Sequence, residues 1–188
     1  MRIILNKIKD LKIITPEKFS DRRGFFAETY SRDLYYSLGV RIDFVQDNHS
    51  ISRDVGTLRG LHFQAPPHAQ AKLVRCGRGA IFDVAVDIRC GSPTFGQWEG
   101  YDLTADNGHQ LLIPVGFAHG FITLEPDSEI VYKCSDYYAP ETEGSILWND
   151  PKIGIKWPLV ADPIFSNKDS AAPLLEDLES PFIFGKNS

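Results

Sequence analysis

Short apolar runs alternate with turn signals along most of this chain. The runs "KLVRC", "AIFDVAVDI", "QLLIP", "GFITL" and "IVYKCSDYY" are rich in β-branched and aromatic residues, which pack well on a pleated, half-buried surface. Between them stand "SRDVG", "QAPPHA", "RCGRG", "RCGSPTFG", "ADNG" and "APETEG", whose Gly, Pro, Asn and Asp residues punctuate strands. This spacing predicts an all-β sandwich or barrel. In "AIFDVAVDIR", Phe82, Val84, Val86 and Ile88 share one parity and Asp83, Ala85, Asp87 and Arg89 the other. One face therefore belongs to a core, the other to water or a cavity. "SRDLYYSLG" predicts one early helix, with Ser31 as N-cap and Gly39 just past its end. A second short helical segment is expected in "AAPLLEDLE". With no internal repeat or low-complexity linker, residues 1–188 read as one domain with an irregular C-terminal arm from about 159.

Composition narrows the function classes. Hydrophobic residues at 43% and charged residues at 24% supply a core and argue against disorder. A net charge of −5 argues against a general nucleic-acid binder, so any anion site must be local. Cys76, Cys90 and Cys134 are odd in number and form no CxxC pair, which describes neither a disulfide framework nor a thiolate zinc site. The N-terminus "MRIILNKIKDLKII" is broken by charges, unlike a secretory leader. The stretch "LLIPVGFAHGFITL" is too short to span a bilayer. A cytoplasmic protein without membrane or nucleic-acid partners is expected.

"GTLRGLHFQAPPHAQAKLVRC" then concentrates Arg59, His62, His68 and Lys72 in a chain with five histidines. A metal is one explanation, because "PVGFAHG" offers His119 in the manner of a second cupin motif. Gln64 stands where a further ligand would follow His62, and no Glu lies near, so the donor set is poor for a divalent ion. Arg23, Arg59 and Lys72 suit a diphosphate better, since guanidinium groups match phosphate oxygens bidentately. Arg59 and His62 have opposite parity, and a straight strand would separate them; Gly60 between them predicts a bulge or kink. His62 can act as a general base if a carboxylate orients its ring, and Asp83 and Asp169 are both candidates. Tyr132 is the best placed proton donor among Tyr132, Tyr137 and Tyr138. His49 and His109 sit beside turn residues and are assigned no role, and His68, in a loop, reads as a surface residue and not a ligand.

Taken in order, "DRRGFFAETY", "FVQDNHSIS", "GTLRGLHFQ", "AKLVRCGRGAIFDVAVDIRCGSPTFGQW", "LLIPVGFAHGF", "VYKCSDYYAPETEGSILWNDP" and "SNKD" cover roughly Asp21 to Asp169. They resemble the dTDP-4-dehydrorhamnose 3,5-epimerase family of metal-free, cupin-like jelly rolls. The resemblance implies an all-β jelly-roll fold with a few short peripheral helices. It implies His62 as base, Asp169 rather than Asp83 as its partner, Tyr132 as the opposing acid and Lys72 beside the substrate keto oxygen. Arg59, His119 and Lys168 match further substrate-site positions, and Arg23, Phe26, Glu28, Gln46, Asp47, Asn48 and Glu143 match nucleotide-sugar contacts. The implied reaction inverts C3 and C5 of a dTDP-4-keto-6-deoxyglucose through enolates, with no cofactor or metal. A homodimer is implied, in which an N-terminal segment completes the neighbour's site. Three rivals stand beside this reading: a C3-only epimerase of a related keto-sugar, a metal-dependent cupin enzyme, and a non-catalytic sugar-nucleotide binding module.

Overall fold

The apolar runs pair into two facing antiparallel sheets in the computed structural model, which describes residues 1–159 and 162–186. The first sheet holds β1 (Arg2–Leu5), β2 (Lys12–Thr15), β5 (Gln46–Ser52), β7 (Lys72–Arg78), β10 (Gln110–Ile113) and β12 (Ser128–Cys134), in the spatial order β1-β2-β10-β7-β12-β5. The second holds β6 (Leu58–Gln64), β8 (Ala80–Asp87), β9 (Trp98–Thr104), β11 (Phe117–Thr123) and β13 (Glu143–Ser145), in the order β13-β6-β11-β8-β9. A separate hairpin joins β3 (Phe19–Asp21) to β4 (Gly24–Phe26). From β5 onward the chain changes sheet at every connection except β8 to β9, the habit of a jelly roll.

Apolar residues of one parity fill the space between the sheets, among them Ile13, Val74, Ile81, Ala85, Leu103, Leu111, Phe121 and Ile130. The other parity of β8 is also buried, because Val84, Val86 and Ile88 pack under Ile146, Ile153, Leu175 and Phe182 from the chain after β13. The polar parity of this strand therefore points inward, and Asp83 is fully buried. On the outer face of the first sheet, Ile14, Leu73 and Leu112 pack under Tyr35 and Val40.

Tyr35 lies in α1 (Arg32–Ser37), where Ser31 takes the N-cap position without a side-chain cap bond and Gly39 follows at φ +80°. In "AAPLLEDLE" only the 3₁₀ turn Leu175–Asp177 forms, and the Leu175 amide donates to Asp150 Oδ2 at 2.7 Å instead of joining a longer helix. A four-residue helix not expected from the periodicity, α2 (Asn167–Ser170), lies beside β6. The start of the C-terminal arm at 160 and 161, like residues 187 and 188, lies outside the described residues. Among the described residues no helix is long and apolar enough to cross a membrane, and Cys76, Cys90 and Cys134 are free thiols.

Candidate active site

The irregularity expected at Gly60 is present. Gly60 has φ +132°, and the pairing of β6 with β11 shifts register between His119 and Phe121. Arg59 and His62 consequently line the same cleft despite their opposite parity. One lobe, about 440 Å³, is bounded by Arg59, His62, Lys72, His119, Phe121, Tyr132, Ile164 and Asp169. A second lobe, about 460 Å³, is bounded by Gln46, Asn48, Gln64, Tyr138 and Glu143. His62, Lys72 and Tyr132 border both lobes.

His62 meets Asp169, not Asp83: its Nε2 lies 2.5 Å from Asp169 Oδ1. The partner is 107 residues away and arrives on α2. The neighbouring chain is pinned to β6 where Ile164 bridges Thr57 and accepts from the Leu58 amide. Burial lowers the pKa of His62 and outweighs the opposing pull of Asp169, with Lys72 and Lys168 lowering it further. The ring is thus neutral near pH 7. Asp83 serves a second histidine, with its Oδ1 2.7 Å from Nε2 of His119. Its Oδ2 is buried and finds no hydrogen-bond partner among the described residues.

Lys72 and Tyr132 come from the opposite sheet. Pairing sets Lys72 against Cys134, and Tyr132 against both Asn48 and Val74, so strict alternation turns Gln46, Asn48, Lys72 and Tyr132 to one inner face. Burial lowers the Lys72 pKa, partly offset by Cys134, Asp83 and Glu143, and no hydrogen bond to a described residue holds its ammonium. Burial also raises the Tyr132 pKa, which keeps the phenol protonated. The same alternation sends Asp47 to the outer face, where its Oδ1 accepts from Lys133 at 2.8 Å.

At the rim, Lys168 pairs with Glu143 Oε2 at 2.6 Å, and Tyr138 donates to the same oxygen at 3.1 Å. Burial raises the Glu143 pKa, but these two bonds overcome it and hold the carboxyl below its ordinary value. Arg23, Phe26 and Glu28 border neither lobe. Arg23 pairs with Asp21 on the hairpin, whose Phe19, Phe25 and Phe26 are exposed.

Gln64 shows what became of the position a cupin metal ligand would fill. Its amide nitrogen donates to the carbonyls of His68 and Tyr137, and its oxygen accepts from the Ala139 amide. These bonds tie the β6 end to the loop after β12. Among the described residues no three His, Cys, Asp or Glu side chains group as a metal site would require. Phe121, Tyr138, Ile164 and Ser166 escaped the sequence reading of the site; of these, Ser166 touches the dyad, its Oγ donating to Asp169 Oδ2 at 2.9 Å. The signal was available in Ser166-Asn167-Lys168-Asp169, the spacing of a capping box.

A family model described as dTDP-4-dehydrorhamnose 3,5-epimerase matches residues 6–177. The chain belongs to this family. A relative of that name from Salmonella typhimurium (strain LT2) is 55% identical over 177 residues, spanning 94% of this chain and 96% of its own. Among solved structures, a dTDP-6-deoxy-D-glucose-3,5-epimerase from Legionella pneumophila in complex with dTDP-4-keto-L-rhamnose superposes with a TM-score of 0.92 at 50% identity, covering 95% of this chain and 94% of that one. A Bacillus anthracis dTDP-4-dehydrorhamnose 3,5-epimerase with TDP and PPi bound gives a TM-score of 0.89 at 50% identity, covering 92% and 98%. The family's jelly-roll architecture is thus shared over nearly the whole chain.

Proposed function

We propose that this protein epimerises dTDP-4-dehydro-6-deoxy-D-glucose at C3 and C5 to dTDP-4-dehydro-L-rhamnose, an isomerase step of dTDP-L-rhamnose biosynthesis. The observation that carries this reading is the opposition across one cleft of the His62–Asp169 pair, on the side of the second sheet, and Tyr132 with Lys72 on the first. Inversion at a carbon alpha to a ketone needs a base on one face, an acid on the other and a charge to receive the enolate oxygen.

In this reading Asp169 holds Nε2 of His62, leaving Nδ1 to remove the proton at C3 and then at C5. Lys72, half-buried on the cleft wall and without a hydrogen-bonded partner among the described residues, receives the charge that develops on the C4 oxygen. Tyr132 returns a proton from the opposite face. The ketone already on the sugar supplies the acidity, and the reaction calls for no redox cofactor. Arg59 and His119 flank the sugar lobe, while Gln46, Asn48, Glu143 and Lys168 frame the lobe assigned to the nucleotide. Binding energy from that remote part orients the sugar between base and acid.

Arg23, Phe26 and Glu28 take their place in a homodimer, in which the exposed hairpin reaches the nucleotide lobe of the partner. Three exposed phenylalanines on one short hairpin fit a segment that is covered by a second copy. We place the enzyme in the cytoplasm, a reducing compartment in which the free thiols of Cys76, Cys90 and Cys134 persist.

The test is incubation with dTDP-4-dehydro-6-deoxy-D-glucose in D₂O, chemical reduction of the ketone, and location of deuterium and configuration by NMR. Deuterium at C3 and C5 with both centres inverted is expected. Inversion at C3 alone assigns the chain to a single epimerase, and no exchange at either carbon overturns the reading.

A further inference from the structure

Asp169 is nearly fully buried, and its two carboxylate oxygens have different partners. Oδ1 faces Nε2 of His62 at 2.5 Å, and Oδ2 accepts from Ser166 Oγ at 2.9 Å. The serine oxygen in turn accepts from the Asp169 amide at 3.2 Å, so one hydroxyl grips the aspartate by both backbone and side chain. The terminal torsion of an aspartate is soft. The carboxylate keeps one orientation only if both oxygens are engaged.

We propose that Ser166 is a positioning residue for the base. Its hydroxyl fixes the Asp169 carboxylate plane and keeps Oδ1 on Nε2 of His62. That contact holds the imidazole as the Nε2–H tautomer with its lone pair on Nδ1, the nitrogen with no protein hydrogen bond among the described residues. A capping serine alone would need only to accept the Asp169 amide. The second bond, from hydroxyl to carboxylate, points to the site. Lys168, adjacent to Asp169, anchors the same short helix through Glu143, so the helix stays docked when the serine hydroxyl is removed. The assignment of His62 as base rests on the function proposed above.

The test compares Ser166→Ala, Ser166→Gly and Ser166→Thr in the full chain. Glycine is tolerated at an N-cap, and threonine retains the hydroxyl, so the set separates helix capping from carboxylate orientation. Loss of a hydrogen bond to a charged group predicts a fall in kcat of roughly tenfold or more in the Ala and Gly variants, with KM within about twofold and activity restored by Thr. In an Asp169→Asn background, Ser166→Ala should have almost no further effect, because it acts through the carboxylate. Nitrogen NMR of the His62 ring provides a readout independent of turnover: a single Nε2–H tautomer in the wild type, and mixed tautomers in Ser166→Ala. Unchanged kcat and tautomer in the Ala and Gly variants, or an equal loss in the Asp169→Asn background, overturns the proposal. A wild type that fails to exchange deuterium, while Ser166→Ala still mixes the tautomers, refutes the assigned function and leaves the positioning role standing.

Discussion

Gly60 lies directly against the backbone of Gly120: a Cβ at Gly60 would fall 2.5 Å from the Gly120 Cα. The contact occurs where β6 and β11 lose register, and it allows Arg59 and His62 to reach one cleft. Alanine at Gly60 must adopt φ +132° and also displace backbone. Gly60→Ala should destabilise the protein by roughly 2–6 kcal/mol, strain and overpacking each contributing about 1–3. Denaturant unfolding measures this directly. Unfolding indistinguishable from wild type would show that the two strands separate at little cost.

The pH profile of kcat/KM should have an acid limb set by His62. Burial lowers its pKa below the ordinary 6.5, so the neutral base persists to more acidic pH, and the limb should have its midpoint under 6.5. The same shift acts on folding. An unfolded His62 binds its proton at higher pH than the folded one, so its contribution to stability is complete above 6.5 and is lost as pH falls through the folded value. On the alkaline side, Lys72 is lowered from 10.5 and Tyr132 raised from 10.0, both chiefly by burial. Activity should therefore be lost as pH rises, with the midpoint of the alkaline limb under 10.5, as the ammonium deprotonates. Rate profiles with wild type and Lys72→Arg test this, since the arginine variant should retain its charge and lose the alkaline limb.

Lys72 and Tyr132 should fail in different ways. Lys72→Met removes the charge assigned above to the enolate oxygen, and both deuterium exchange and product formation should fall by about 10²–10³. Tyr132→Phe leaves His62 and Lys72 in place, so exchange should continue while inversion declines. Comparing the exchange rate with the rate of inverted product for each variant separates the two roles. Equal loss of both in Tyr132→Phe would remove the phenol from its position as opposing acid.

Much of this site was legible along the chain, but only where a local pattern carried it. Alternation in "AIFDVAVDI" separated a core face from one meeting water or a cavity and put Asp83 opposite Val84 and Val86, and Gly60 between two residues of opposite parity marked the kink. Neither pattern could say which carboxylate His62 meets, because Asp83 and Asp169 both lie far away in sequence and the choice is made by how the C-terminal arm docks. That the apolar parity with Val84 and Val86 packs on the outer face of its sheet was hidden for the same reason, as the residues covering them come after β13. Asp47 entered with Gln46 and Asn48 through resemblance, yet its own parity places its side chain on the other face. The helix expected in "AAPLLEDLE" is reduced to one 3₁₀ turn held from outside, the Leu175 amide by Asp150 and the Pro173 carbonyl by the Leu147 amide.

The separation of Arg23 and Phe26 from the cleft leads to a prediction about subunits. If the hairpin serves the partner, a chain carrying Arg23→Ala and Phe26→Ala retains its own His62, and a His62→Ala chain retains an intact hairpin. Each homodimer should be nearly inactive. A mixed dimer contains one cleft in which His62 of the first chain meets the hairpin of the second, and that cleft is wild type in every residue. Equal amounts, denatured and refolded together, should therefore recover about one quarter of the wild-type activity, since half the dimers are mixed and half their sites are intact. A hairpin that served its own chain would leave no intact cleft in any dimer, and the mixture would remain as inactive as its parents.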